Sequence, residues 1–168
     1  MTNFFKFIIF YRKSRNYIIS TQFFCIIEVQ QQFILITIKR VHSASREIVR
    51  AGLVESAHDL SDGGLAVAVA ESSFGSSGIG ASIKLASELP PHYLLFYEAP
   101  SRILISAAKD SLNDVLTIAN SYKIESPVIG ETVVGQVIFS VNGKDIIKRP
   151  LGELQKYWAN ALEGTLKV

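Results

Sequence analysis

Seven consecutive residues, His58-Asp59-Leu60-Ser61-Asp62-Gly63-Gly64, bring together an imidazole, two carboxylates, a hydroxyl and a glycine pair. The stretch that follows, Leu65 to Phe74, is almost wholly apolar, so the seven stand in front of a helix built for burial. A helix that starts near Gly63 or Gly64 leaves backbone N–H groups free at its first turn. Ser61 and Asp62 are residue types that cap such groups, and the glycines let a ligand or a backbone come close without a Cβ in the way. Together with the helix dipole, a turn of this kind can hold a phosphate. The two acids oppose that use unless a cation such as Mg²⁺ lies between. A plainer, structural reading stands beside it and is the one that the residues alone favour: Asp62 caps the helix and Asp59 orients His58. Spacing alone fixes no reaction.

The elements that must position this turn can be read from hydrophobic period and punctuation. Ser43 is expected to cap a short helix over Ala44–Ala51, with Ile48 inward and Gly52 as its stop. Leu53–Ala57 reads as a strand running into the turn, which places His58 and Asp59 at a strand end, where sites in mixed folds are common. Gly64–Phe74 is the buried helix. Ala81–Leu85 reads as a strand, and Pro90-Pro91 breaks the chain. Arg102–Ala107 is a continuous apolar run of central-strand type. A helix from Asp110 or Ser111 to about Tyr122 shows Leu112, Val115, Leu116 and Ala119 at helical spacing. Val137, Phe139 and Val141 alternate, then Asn142-Gly143 and Lys144–Lys148 complete a hairpin signature. Pro150 opens a last helix with the stripe Leu151, Leu154, Trp158 and Leu162. Interspersed helices with a late hairpin give an α+β fold: a mixed β-sheet with helices packed on its faces. The expected core is Ile48, Leu65, Val69, Leu104, Leu116, Phe139 and Trp158.

Bulk properties narrow the function classes. The chain has 168 residues and a formal net charge of +2, which makes no case for nucleic acid or a membrane surface as partner. One cysteine, Cys25, excludes an intrachain disulfide, and with His42, His58 and His92 it forms no zinc pattern. A reducing compartment, the cytoplasm, fits this usage. The averages conceal a seam near residue 41. Residues 1–40 contain no Gly, Ala, Pro or Asp, hold seven of the ten Phe, and carry +5, while the remainder carries −3 and all eleven Gly. The charge-free runs Asn16–Ile27 and Val29–Ile38 fall short of the roughly 20 residues of a spanning helix. Residues 1–40 therefore read as an atypical segment, of the kind AT-rich DNA yields outside its proper frame. They are expected to lie at the periphery of a domain over 41–168. An edge strand pair (Phe4–Tyr11 with Phe33–Ile38) and an interfacial anchor are the alternatives.

The literal string is more specific than its spacing. Residues 46–64, "REIVRAGLVESAHDLSDGG", continuing into "LAVAVAES", resemble the start of the last domain of the phosphoribosylformylglycinamidine synthase family. The likeness runs on through "LLFYEAPSRILIS", "SPVIGET", the Asn-Gly region and "LGELQKYWANALEG", covering about Val41 to Val168. It implies a PurM-like C-terminal domain from an ATP-dependent ligase. That enzyme converts formylglycinamide ribonucleotide and ammonia from glutamine to the amidine, using ATP and Mg²⁺. The implied partners are upstream synthase domains and a glutamine amidotransferase component. No glycine-rich ATP loop with lysine occurs here, so the resemblance assigns no catalytic residue and no metal ligand to this chain. Glu98 to Arg102, "EAPSR", resembles a Glu-Ser-x-x-Arg segment that helps hold substrate in the matching earlier domain, with Ala99 and Pro100 in place of polar positions. A simple Glu98–Arg102 ion pair is the other reading. His58, Asp59, Ser61, Asp62, Gly63, Gly64, Glu98, Ser101 and Arg102 are thus the ligand or domain-interface candidates. A fragment without a complete active site is the functional expectation. A stand-alone, non-catalytic binding domain and a piece of a related ATP-dependent synthetase are the alternatives.

Overall fold

Alternation along one strand shows how the interior is divided. On β4 (Ile103–Ala108) Leu104 faces one apolar cluster and Ile105 the other, because successive side chains leave opposite faces of a sheet. The computed structural model describes residues 5–10, 23–98 and 100–166, with side-chain surroundings from 35 to 161 apart from residue 99.

Seven strands form one mixed sheet in the order β2-β4-β1-β5-β3-β6-β7. They are β1 (Phe5–Phe10), β2 (Ser56–Asp59), β3 (Ile79–Leu85), β4, β5 (Val128–Val134), β6 (Gln136–Val141) and β7 (Lys144–Pro150). β3 and β6 pair in parallel, and the other pairings are antiparallel. Among the described residues five α-helices accompany them: α1 (Phe23–Arg50), α2 (Gly64–Phe74), α3 (Pro91–Phe96), α4 (Leu112–Ser121) and α5 (Leu151–Leu166). Val41, Ala44 and Ile48 of α1 and Val115 and Ala119 of α4 bury with Ile105 and Ala107 in one cluster. Leu65 and Val69 of α2, Leu95 of α3 and Leu151 of α5 bury with Leu104, Ile83, Val137 and Phe139 in the other. This is the expected α+β arrangement, a mixed sheet with helices on its faces.

Several elements differ from the sequence reading. Ser43 caps nothing, since α1 runs through it from Phe23, crossing the compositional seam unbroken. Burial at positions 41, 44 and 48 continues the helical period upstream of residue 43. Gly52 does end this helix, at φ 67°, with the Leu53 N–H bonded to the Ile48 carbonyl and the Gly52 N–H to that of Val49. Residues 33–38, offered above as a strand, are part of α1. Residues 5–10 do form a strand, yet not at an edge: β1 pairs with β4 on one side and β5 on the other. The peripheral placement expected for residues 1–40 therefore does not hold for this strand.

The strand before the turn is Ser56–Asp59 rather than Leu53–Ala57, and α2 has the bounds expected of it. The Pro90-Pro91 pair opens a helix, α3, with Pro91 at its first position, instead of only breaking the chain. Leu116 is half-buried against the α1–α4 cluster. Trp158 is a clear correction: it is 59% exposed and leans on Phe74 at a ring distance of 5.5 Å. α5 meets the core through Leu151 and Leu154, so Trp158 reaches only the rim of α2. The side chain of Leu162, the fourth member of that stripe, lies outside the described residues.

Candidate functional site

The ladder between β2 and β4 brings two distant motifs to one end of the sheet. Asp59 stands opposite Ile103 and His58 opposite Leu104. Beyond the last pair, the Leu60 N–H donates to the Arg102 carbonyl at 2.9 Å. The chain leaving β2 and the chain entering β4 thus run side by side. The turn at 58–64 and the loop at 98–102 meet there.

Glu98 closes the contact. Its Oε1 accepts the Gly63 N–H at 2.7 Å, at the N-terminus of α2. Gly63 is the cap residue, at φ 78°, and no side chain from the turn caps the helix. The expected capping role of Ser61 or Asp62 is filled instead by a carboxylate from 35 residues away, placed where the helix dipole favours a negative charge. The Gly64 N–H is satisfied by the Ser61 carbonyl at 3.0 Å. Gly64 is buried at φ 62°, and a Cβ there would lie 2.9 Å from the Phe96 carbonyl carbon and 3.0 Å from the Leu95 and Tyr97 oxygens. Only glycine lets α2 start this close to the end of α3. A Cβ on Gly63 would stand 2.3 Å from Val67 Cγ2.

The Arg102 guanidinium donates to the Tyr97 carbonyl at 2.9 Å and so folds the 97–102 loop back on itself. Ser101 turns that loop at φ 65°. Ala99, one of the two departures from the Glu-Ser-x-x-Arg pattern, lies outside the described residues.

His58 belongs to a different contact. Its Nδ1 is 2.6 Å from the Asp59 carbonyl oxygen, and its Nε2 is 3.4 Å from Glu71 Oε2 on α2. The backbone of Asp59, not its carboxylate, therefore orients the ring. The other oxygen of Glu71 accepts from Trp158 Nε1 at 3.2 Å, so one carboxylate links β2, α2 and α5. This three-residue link was not read as a site. Its one sequence signal is that Glu71 is the sole charged residue within Gly64–Phe74.

Asp59, Ser61 and Asp62 are exposed, and their side chains bond to none of the described residues. The outward groups at this end of the sheet are thus two carboxylates and a hydroxyl, with the Glu98 carboxylate already engaged. Such a surface receives hydrogen-bond donors and cations, including the basic side chains of a neighbouring protein surface. It does not fit a nucleotide phosphate, because Glu98 occupies the anion position of the helix terminus and the two aspartates would repel a second anion. No group of three His, Cys, Asp or Glu able to hold a metal ion occurs among the described residues. Two concavities lie elsewhere. One, of about 170 Å³, is lined by Ser56, Ser72, Ser76, Ser106 and Thr132 near the far end of α2. The other, of about 490 Å³, runs between α1 and Tyr122. No described helix is long and apolar enough to cross a membrane.

Known proteins share both the sequence and the fold. The phosphoribosylformylglycinamidine synthase subunit PurL of Moorella thermoacetica is 39% identical over 124 residues, which is 74% of this chain and 17% of that protein. The corresponding subunit of Alkaliphilus metalliredigens is 34% identical over 125 residues, with the same shares. The chain thus spans about a sixth of the length of these relatives. Among solved structures, PurLQS from Thermotoga maritima superposes with a TM-score of 0.71, at 19% identity, over 91% of this chain and 26% of that one. T. maritima PurL complexed with ATP gives 0.69 at 22% identity, over 90% and 25%. These two likenesses speak for the fold. The model of the AIR synthase related protein, C-terminal domain, matches residues 22–141, well over half of the sequence, and the chain belongs to that family.

Proposed function

We propose that this chain serves as the C-terminal part of a phosphoribosylformylglycinamidine synthase, the ATP-dependent ligase that converts formylglycinamide ribonucleotide and ammonia from glutamine to the amidine. The observation that carries this reading is the 39% identity, across 124 residues, to a subunit of that name. Within it, residues 41–168 hold the synthase-type motifs, and residues 1–40 are an atypical segment that lends a strand to the sheet. ATP and Mg²⁺ are handled by the synthase domains that precede this one in the full enzyme. A glutamine amidotransferase component supplies the ammonia, and the complex works in the cytoplasm.

The role of the 58–64 turn in that assembly is to face a neighbouring domain. Three features support it: the exposed, unbonded Asp59 and Asp62, the Glu98 carboxylate in the anion position of α2, and the rigid glycine contact with α3. The aspartates meet donors on the opposing surface rather than phosphate. Positioning and charge neutralisation of the γ-phosphate, which give phosphoryl transfer its rate, then come from that other surface.

The test is reconstitution. The purified 168-residue chain, mixed with ATP, Mg²⁺, ammonium and formylglycinamide ribonucleotide, is expected to release no ADP above background. Added to a separately produced synthase lacking its last domain, it is expected to restore turnover, and Asp59→Asn with Asp62→Asn to weaken the restoration. ADP release by the chain alone, or failure to bind and rescue the shortened synthase, would overturn the reading.

A further inference from the structure

Asn142-Gly143 is the only Asn-Gly pair in the chain, and its chemistry goes beyond that of a hairpin turn. In any Asn-Gly pair the glycine backbone nitrogen, after losing its proton, can attack the asparagine Cγ. The Cγ–Nδ2 bond breaks, ammonia leaves, and a five-membered succinimide remains. Water then opens the ring at either carbonyl, giving aspartate or isoaspartate. Glycine favours the reaction because it has no side chain to hinder the approach. No oxidant or cofactor is needed, since the net change is addition of water and loss of ammonia.

The fold restrains the attacked group. Asn142 Oδ1 accepts the Ser87 N–H at 3.0 Å, and its Nδ2 donates to the Ser87 carbonyl at 2.8 Å. The orientation of the amide is fixed, because a flip would set donor against donor and acceptor against acceptor. The Asn142 N–H donates to the Leu85 carbonyl at 2.9 Å, tying the same residue to the end of β3. Asn142 and Gly143 sit at φ 50° and 79°, the left-handed pair of a hairpin turn, between the paired residues Val141 and Lys144. Swinging the side chain toward the Gly143 nitrogen requires both Ser87 bonds to open.

We propose that Asn142 is a deamidation site latched by the Ser87 backbone, and that its conversion permanently loosens the junction between β3 and the β6–β7 hairpin. Replacing the amide by a carboxylate sets an oxygen against the Ser87 carbonyl, where the Nδ2 donor stood. Two acceptors at that separation repel each other. Isoaspartate would further add a backbone methylene to a two-residue turn that fixes strand register. Asn142 is exposed, so water has free access once the latch opens. Deamidation there therefore records how often this junction opens, and the loss is one-way.

The experiment follows deamidation at each asparagine by peptide mass spectrometry at physiological pH and temperature. The folded chain is compared with the same chain unfolded in urea, and with two variants. Deamidation of Asn142 is expected to be about ten- to a hundredfold slower in the folded chain than in urea. Ser87→Ala gives up the Leu89 N–H bond to Ser87 Oγ, 3.1 Å, but keeps both backbone groups that hold Asn142, and is expected to leave the slow rate unchanged. Ser87→Pro removes the N–H and is expected to move the rate toward the unfolded value, with circular dichroism establishing that the variant is folded. If Ser87→Pro unfolds, the folded-versus-urea ratio and the Ser87→Ala rate remain decisive. Equal rates in folded and unfolded wild type, acceleration by Ser87→Ala, or no acceleration by a folded Ser87→Pro variant would overturn the proposal. This result is independent of reconstitution with the synthase.

Discussion

The Gly63 N–H and the Glu98 carboxylate, 35 residues apart in sequence, are joined at 2.7 Å at the start of α2. The bond satisfies one of the free amides of the helix terminus and puts a negative charge at the positive end of the dipole. It also locks the turn after β2 to the loop before β4. Glu98→Ala is expected to cost about 0.3–1 kcal/mol, the range of an exposed charge at a helix N-terminus. Glu98→Gln retains an acceptor and is expected to lose less. The wild-type advantage over the glutamine variant should shrink in high salt, where exposed charges are screened. Urea denaturation midpoints at low and high salt measure both. An alanine variant as stable as wild type would mean that the contact does not hold the two segments together.

Gly64 and Gly52 separate two costs that are often merged. Both have positive φ, 62° and 67°, but a Cβ on Gly52 meets nothing within 4 Å, whereas one on Gly64 meets three backbone atoms. Gly52→Ala is expected to cost only the left-handed conformation, about 1–2 kcal/mol. Gly64→Ala adds overlap with atoms that cannot rotate away, about 1–3 kcal/mol more. Equal losses in denaturant titrations would show that α3 moves freely away from α2, and that the turn is less rigid than its packing implies.

The helix Gly64–Phe74, the hairpin at Asn142-Gly143 and the α+β layering were legible because each is written in local pattern: apolar period, a glycine pair, an Asn-Gly dipeptide. The capping of α2 was not, since the acceptor at Gly63 comes from a loop that only the β2–β4 ladder brings near. Trp158 shows a similar limit. Its spacing with Leu151 and Leu154 is helical, but period reports direction and not how far the opposing surface extends, and that surface ends at Phe74 and Glu71. His58 and Asp59 were correctly placed at a strand end. The side-chain partner of His58 is Glu71, about two turns into the next helix, which spacing in sequence did not reveal. β1 carries no local cue to its place between β4 and β5, because strand pairing is decided over long range.

Tyr122 offers a pH-dependent probe of the α1–α4 contact. Its hydroxyl donates to Glu47 Oε2 at 2.6 Å. That hydrogen bond, then burial and the Glu47 charge, raise its pKa above the ordinary tyrosine value. The neutral phenol is the form that bonds. Its contribution to stability is fully present below the unfolded pKa of about 10 and is lost as pH rises through the higher folded value. Tyr122→Phe is expected to be less stable than wild type at neutral pH by a constant margin, which closes in alkali. A difference titration of tyrosinate absorbance, wild type minus variant, should show the missing tyrosine ionising above the ordinary tyrosine value. A margin that widens with pH would have the wrong sign for this bond.

The largest expected effect concerns β1. Its six residues pair with β4 from Phe5 opposite Ala108 to Phe10 opposite Ile103, and Lys6, Phe7 and Ile8 also pair with β5. Removing the strand would divide the sheet into β2-β4 on one side and β5-β3-β6-β7 on the other. A two-stranded piece is at best marginal alone, and two interior edges would lose their backbone partners. Each lost hydrogen bond costs about 0.5–1.5 kcal/mol net. Loss of both ladders thus approaches the whole stability of a domain, about 5–15 kcal/mol. A chain beginning at residue 22 is therefore expected to lose cooperative unfolding or to aggregate through the exposed edges. Circular dichroism melts and sedimentation of the shortened chain measure this directly. A cooperative transition at the full-length midpoint would show that the Phe- and Ile-rich start contributes nothing to the sheet, and that β4 and β5 find other partners.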